Sequence, residues 1–567
     1  MKRTGRVAVR FLVCCLLILL TWGSGAMADN KLDLWVSPTG ILTVDAIRVM
    51  EIQGQAYLFL PGNTDLSQYR IGHKAKRVTV NGREIGSGDS AEVLKAEEMT
   101  LGYLQGGMAR ELPLKVLYGS DLPAMYITTQ SGGLSRIHWD KSRKEKGRMI
   151  LRDRDGSELF EGRLQHMKMR GNASVLYDKK NYAIKLEEGA GLLGMGKAKK
   201  WILLGNHLDK SLLRNQFNFD MARYAGLMYT PDCRQISLYV NNGYLGMYLL
   251  TEKVEIDDDR VAIRDLEKET ESLNTRSLDT YPTAGTRYIN RGRYRGKKIP
   301  VNPEDISGGY LLEFEHLATA YTTTPSAYYT KHGMLLIIHE PEYCSDEQMK
   351  YITGLMQGFE NAIYAADGRD PETGKHYGEF VDFDSLVNKY LINEVSKNYD
   401  ANMSSEYFFK PENAVSDKVF AGPVWDLDNT WGDYTRSGNP AFLKPENLFA
   451  CRQGGQDYWW PALYRQPDFL AAVVKRYHEV FVPALEILLG QREESDTLKS
   501  LDTYAAAVEK SVAMEYVLYP QLRWKQGLIQ TGVNLEENIA YLKNYIMLRM
   551  AFLNETWQTD EGGEKTE

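Results

Sequence analysis

Cysteine is scarce in this sequence: there are five in 567 residues, and Cys14 and Cys15 fall inside an N-terminal apolar run. The rest, Cys233, Cys344 and Cys451, are too widely spaced for a zinc-ligand pattern or a dense disulfide framework. One bridge and three free thiols are both open. Histidine is also rare, with nine residues and none between Lys397 and Gly432, which ranks a His-ligated metal hydrolase last among the candidate functions. Basic charge is not in excess. A formal net charge of -7 argues against a nucleic-acid partner, which needs a concentrated positive surface. Long hydrophobic runs are missing after the N-terminus, so no membrane span is expected.

The apolar run at the start is short. Lys2, Arg3, Arg6 and Arg10 precede apolar residues 11–22, and Ala26-Met27-Ala28 has the small-x-small form of a cleavage site. Residues 1–28 read as a secretory signal peptide, cut before Asp29, and the mature protein as secreted or held in the cell envelope. Losing them removes four basic residues and no acidic one, which takes the net charge from -7 to -11.

What is present is ordinary soluble-protein composition, 43% hydrophobic and 25% charged, over a length that suggests two or three globular units. Residues 29–120 alternate short β-like runs with turn residues, as in Val78-Thr79-Val80 followed by Asn81-Gly82, a hairpin signal. They read as a small β-sandwich-like accessory domain. A second β-rich stretch follows to about residue 255. In Asn181-Tyr182-Ala183-Ile184-Lys185-Leu186, Tyr182, Ile184 and Leu186 share one face, and Ala183 and Lys185 the other. Asp209 or Ser211 caps a helix running to about Tyr224, with Leu213, Phe217 and Met221 on its apolar stripe. Asp220 lies on that stripe too; if it is buried, a lysine such as Lys185 is a natural partner. A hairpin over 235–252 ends at Glu252. Residues 257–305 are charged, lack an apolar period and read as a surface insertion. Helices are expected at 346–366 and 384–397, and further helical patterns run from 468 to 553. The acidic residues 556–567 read as a disordered tail.

Asp400 follows the helix over 384–397 in a turn-prone run. Asp426 and Asp428 follow a β-like run, 419–425. Carboxylates at the ends of two different elements suit a division of labour, one handling a proton and the other a metal.

Taken in order, these motifs resemble the CotH family of spore coat protein H-like kinases. The matching segments are Met169-Arg170-Gly171-Asn172-Ala173-Ser174, Lys180-Asn181-Tyr182-Ala183-Ile184-Lys185, Trp201-Ile202-Leu203-Leu204-Gly205-Asn206 with Asp209, and Leu213-Arg214-Asn215. Further matches are Leu238-Tyr239-Val240-Asn241, Gly243-Tyr244-Leu245-Gly246, Gly308-Gly309-Tyr310-Leu311-Leu312-Glu313 and Val424-Trp425-Asp426-Leu427-Asp428. The resemblance covers residues 122–480. It implies an α+β, atypical protein-kinase-like fold: a β-rich N-lobe over about 121–255 and a helical C-lobe over about 306–480, with helices 481–555 packed on the latter. It further implies ATP with Mg²⁺ or Mn²⁺ as cofactors and a protein substrate as the acceptor. In that reading Lys185 holds the α/β-phosphates and Asp400 takes the acceptor's proton. Asp426 or Asp428 holds the metal, with Asn402 as a further ligand. Arg170 and Asn172 contact phosphate, and Glu252 meets ribose or pairs with a lysine. The chain departs from ordinary kinases in three ways. No G-x-G-x-x-G precedes Lys185, the helix over 211–224 has no Glu, and Ser405 stands five residues after Asp400 where a metal-binding Asn is usual. Those departures keep a second reading open, a non-catalytic surface or envelope binding protein that retains the lobes.

Overall fold

The computed structural model describes residues 31–105, 108–172, 174–433, 440–452, 458–523 and 532–558. The expected signal peptide, Ala173 and the acidic tail beyond Gln558 lie outside them. The fold is mixed α+β, with three separate sheets.

The N-terminal stretch forms one continuous eight-stranded sheet where a sandwich-like pair was expected. Its strands are β1 (Lys31–Ser37), β2 (Ile47–Ile52), β3 (Gln55–Leu60), β4 (Arg70–His73), β5 (Val78–Val80), β6 (Arg83–Glu84), β7 (Met99–Gln105) and β8 (Met108–Tyr118). The order is β4-β1-β2-β3-β8-β7-β5-β6. Asn81 and Gly82 join β5 to β6 with φ of 51° and 76°, the left-handed pair that a tight two-residue hairpin requires.

A closed barrel follows, built from β9 (Ala124–Thr129), β10 (Glu145–Arg152), β11 (Glu158–Arg170), β12 (Asn181–Gly191), β13 (Lys197–Leu204), β14 (Cys233–Val240) and β15 (Gly243–Glu252), in the order β10-β11-β12-β13-β15-β14-β9. Alternation sorts the side chains. Met167, Tyr182, Ile184, Trp201 and Leu203 fill the interior, while Ile202 and Leu204 point outward into the core shared with the helices. The β14–β15 turn also ties barrel to first sheet, since Asn242 Nδ2 donates to the carbonyls of Thr43 and Ala46 at 2.8 and 2.9 Å.

The third sheet has the order β16-β17-β19-β20-β18-β21-β22. Its strands are β16 (Arg287–Ile289), β17 (Gly292–Arg295), β18 (Tyr310–Phe314), β19 (Ala327–Tyr329), β20 (Leu335–Glu340), β21 (Tyr407–Lys410) and β22 (Phe420–Ala421). The segment 257–305 is therefore not only a surface insertion, because it contributes β16 and β17. Leu266, Leu278 and Tyr294 are buried singly, which leaves no period to read, and buried Lys297 donates to the Tyr281 carbonyl at 3.0 Å.

Helix α1 (Arg214–Tyr224) follows β13. Helices α2 (Asp346–Tyr364) and α3 (Phe383–Ser396) pack behind the third sheet, near the expected positions. A Ser345–Gln348 capping box starts α2, and Asp382 caps α3 by accepting from the Ser385 amide. Of the last long helices, α4 (Leu501–Leu518) lies on the barrel, where packing on the C-terminal half was expected, and α5 (Leu535–Thr556) lies against α3. The α4 contact is a buried ion pair, Glu515 to Lys179 at 2.5 Å, with Glu515 also accepting from the Met247 amide at 2.8 Å. No helix among the described residues is long and apolar enough to cross a membrane. Cys233, Cys344 and Cys451 are buried free thiols.

Candidate active site

Helix α3 stops at Lys397, whose φ of 51° turns the chain out of the helix. The next residues form a tight turn in which the Asp400 carbonyl accepts from the amides of Met403 and Ser404 at 2.8 and 3.2 Å. The acidic segment runs alongside. The Trp431 amide donates to Ser396 at 2.7 Å, and the Tyr399 amide to Asn429 at 3.2 Å. The residues next to Asp400 and Asp428 are thus hydrogen-bonded to each other, which sets the two acidic segments side by side. Asp426 is half-buried and holds φ 58°, a left-handed conformation that costs an L-residue about 1–2 kcal/mol.

Helix α1 holds this acidic loop by its polar side chains. Asn215 accepts from the Leu427 amide at 2.7 Å. Asn218 donates to the Leu427 carbonyl at 3.2 Å and accepts from the Trp431 indole at 3.0 Å. Arg214 Nε donates to the Thr430 carbonyl at 3.0 Å, and its guanidinium pairs with Asp209 and, at 3.5 Å, with Asp433. Arg214, Asn215 and Asn218 are all buried. In the sequence Arg214 and Asn215 were only motif matches on a helix, and Asn218 was not singled out; the signal for their role was polar residues where an apolar stripe would be expected. Asp209 Oδ2 also accepts from the Arg214 amide at 2.7 Å and so serves the start of α1.

A buried polar chain supports the loop from the other side. Asn398 Oδ1 accepts from the Asp400 amide at 3.1 Å, and its Nδ2 donates to Asn393 at 2.9 Å. Asn393 donates to Glu406 at 3.0 Å, Glu406 lies 3.6 Å from Lys389 Nζ, and Lys389 donates to the Pro423 carbonyl at 2.9 Å. Burial pushes the Glu406 carboxyl up to about 7 and lowers the Lys389 amine.

The barrel covers the loop with cations. The Arg170 guanidinium sits 5.1 Å from the Trp425 ring centre, and Trp425 stacks on Phe219. Register places His166 opposite Lys185, Lys185 opposite Lys200, and Lys168 opposite Ala183, so these side chains share the outer face. Burial lowers the Lys168 amine, and Lys144, Lys253, Arg170 and Lys141 lower it further. Burial likewise pushes His166 down to about 4, and Lys144, Lys168, Lys185 and Lys200 add to the shift. Such a field favours an anion. Sequence reasoning missed Lys168, since a single lysine in a strand carries no periodic mark; it also missed Lys200 and Lys253, which pair with buried Glu255 at 2.6 and 3.1 Å and so add less to the field. It also missed Glu313 of β18. Burial alone would raise the Glu313 carboxyl; His339, Tyr407 and the Ser405 amide, which donates at 3.0 Å, hold it below the ordinary range.

Other expected residues stand apart. Asn172 is exposed and accepts from Lys141 at 3.2 Å. Glu252 lies opposite Trp201, on the face turned away from Lys185. Its carboxylate is engaged by Arg260 at 2.6 Å and by the Asp232 amide at 2.9 Å. Asp220 does not meet Lys185; it pairs with Arg223 and accepts from the Tyr504 hydroxyl at 2.5 Å. Asn402 is buried, its Nδ2 donating to Ala450 at 2.8 Å and its Oδ1 without a partner among the described residues.

Among the described residues, no three His, Cys, Asp or Glu side chains converge as a metal site. Asp426, Asp428 and Asn402 Oδ1, which has no partner among the described residues, are oxygen donors of the kind an Mg²⁺-type ion takes, one or two of them carboxylates with phosphate and water completing the shell.

Comparison with curated proteins returns no match. The sequence model described as CotH kinase protein matches residues 167–553, which adds α4 and most of α5 to the stretch expected from the motifs. With more than half of its length matched, the chain belongs to the CotH kinase family.

Proposed function

We propose that the protein is a phosphotransferase with a kinase-like pair of lobes, the barrel forming one and the helices with the third sheet the other. It moves the γ-phosphoryl group of ATP to a hydroxyl of an extracellular or envelope protein. The observation that carries the reading is the hydrogen-bonded pairing of the Asp400 and Asp428 segments beneath the cationic barrel face. Lys185, Arg170 and their lysine neighbours hold the phosphates in line. Asp400 takes the proton of the acceptor hydroxyl as its oxygen bonds to phosphorus and the bond to the β-phosphate oxygen breaks. Asp426 and Asp428, with Asn402, are the residues to hold Mg²⁺ or Mn²⁺, which when bound offsets charge on the phosphate oxygens. The reading of residues 1–28 as a signal peptide places the reaction outside the cell.

Incubation of the mature chain with labelled ATP and Mn²⁺ or Mg²⁺ tests this. We expect label on the protein or on an added acceptor, and a loss of at least about 100-fold in Asp400→Asn. Equal labelling by the variant sinks the assignment. A second reading, nucleotide binding without transfer, is favoured by Ser405 in place of the usual Asn. It predicts a calorimetric ATP signal and no label in the wild type.

A further inference from the structure

Most polar side chains around the acidic loop are satisfied within the protein. Asn429 is not: it is 1% exposed, and among the described residues neither its Oδ1 nor its Nδ2 has a partner. Its neighbours differ. Thr430 donates to Leu427 at 2.9 Å, Trp431 donates to Asn218, and Asn215 and Asn218 use both ends of their amides. The Asn429 carbonyl is the acceptor for Tyr399, so the residue sits where the Asp400 and Asp428 segments touch. Asn402, two residues beyond Asp400, carries another orphan among the described residues. Because its Nδ2 is spent on Ala450, the unpartnered end is fixed as the oxygen. Buried amides left unpaired are costly and concentrate where a ligand supplies the missing partner.

We propose that Asn429 contacts the ligand of this site directly: its amide oxygen helps to hold the divalent cation that accompanies the nucleotide, alongside Asn402 Oδ1. The inference rests on the phosphotransfer reading. It replaces the amide oxygen of the Asn that usually stands where Ser405 does with one from the other segment of the site. Hard cations take amide oxygens alongside carboxylates, and the Nδ2 of Asn429 can donate to a phosphate oxygen.

The test needs no turnover. Mn²⁺ affinity is measured by paramagnetic resonance, and melting by calorimetry, on the mature chain with Mn²⁺ alone and with Mn²⁺ plus a non-hydrolysable ATP analogue. We expect Asn429→Leu to melt at or above the wild-type temperature without ligand, since it removes an unsatisfied buried amide. We also expect it to bind Mn²⁺ with the analogue at least tenfold more weakly and to lose most of the ligand-induced rise in melting temperature. Asn429→Asp, which keeps an oxygen, retains binding. Asn429→Ala serves if the leucine variant does not fold. Wild-type affinity in Asn429→Leu or Asn429→Ala overturns the inference and leaves the phosphotransfer reading standing. A wild type that gains nothing from Mn²⁺ and the analogue overturns both.

Discussion

Asp426 carries two opposed demands in one residue. Its left-handed backbone favours glycine, while its place in the acidic loop calls for a carboxylate. Asp426→Gly is therefore expected to be neutral or stabilising by up to about 1 kcal/mol in urea denaturation while abolishing metal-dependent transfer. A clear loss of stability would mean that the carboxylate holds the loop together instead of serving a ligand. His207 offers a residue-scale test by pH. Burial between the Tyr177 and Tyr519 rings, with Lys179 and Lys180 near, pushes its imidazole down to about 4. The folded state then binds fewer protons than the unfolded state between about pH 6.5 and 4, so its contribution to stability falls as pH drops through that window. His207→Gln should lose less stability than the wild type between pH 7 and pH 5, by roughly 2 kcal/mol at most. Chemical denaturation at the two pH values measures it.

Elements were legible where local rules act alone. The 3.6-residue period placed α3 and α2 within a residue or two, and the Asn-Gly turn placed the β5–β6 hairpin. What each element does was not legible. Helix α1 shows an apolar stripe in sequence, yet its decisive side chains are Arg214, Asn215 and Asn218, turned to a loop more than 200 residues away. The joint between α3 and the acidic loop is likewise long-range. Lys389→Met leaves Glu406 buried without its counter-charge, and we expect a loss of about 3–5 kcal/mol. Faster amide exchange should appear together in residues 398–406 and 424–430. Faster exchange in the first segment alone would show that the chain from Asp400 to Pro423 does not couple them.

At the scale of the molecule, the C-terminal helices clamp both halves. Arg549 of α5 is fully buried and pairs with Glu394 of α3 at 2.6 Å; Glu515 of α4 pairs with Lys179 beside β12. Lys179→Met should cost about 3–5 kcal/mol, because Glu515 is left charged or protonated in the core. The double variant Lys179→Met, Glu515→Leu should recover much of that, as read in a double-mutant cycle by urea denaturation. No recovery would assign the loss to packing of α4 and not to the charge left alone. The span of the family match, which runs on to residue 553, agrees with a clamp that is part of the folded unit.

From the amino-acid order alone came the strand and helix periods, the turns and caps, the family motifs and the short list of acids and lysines able to do chemistry. Those depend on neighbours within a few residues, whose geometry the backbone repeats dictate. Tertiary packing alone decided which of them meet. It set the Asp400 segment against the Asp428 segment, stacked Arg170 over Trp425, turned Glu252 to the opposite face of the barrel and left Asn402 Oδ1 and both ends of the Asn429 amide without partners among the described residues. Contacts between residues hundreds of positions apart arise from how whole layers bury their apolar faces, and no local repeat records them.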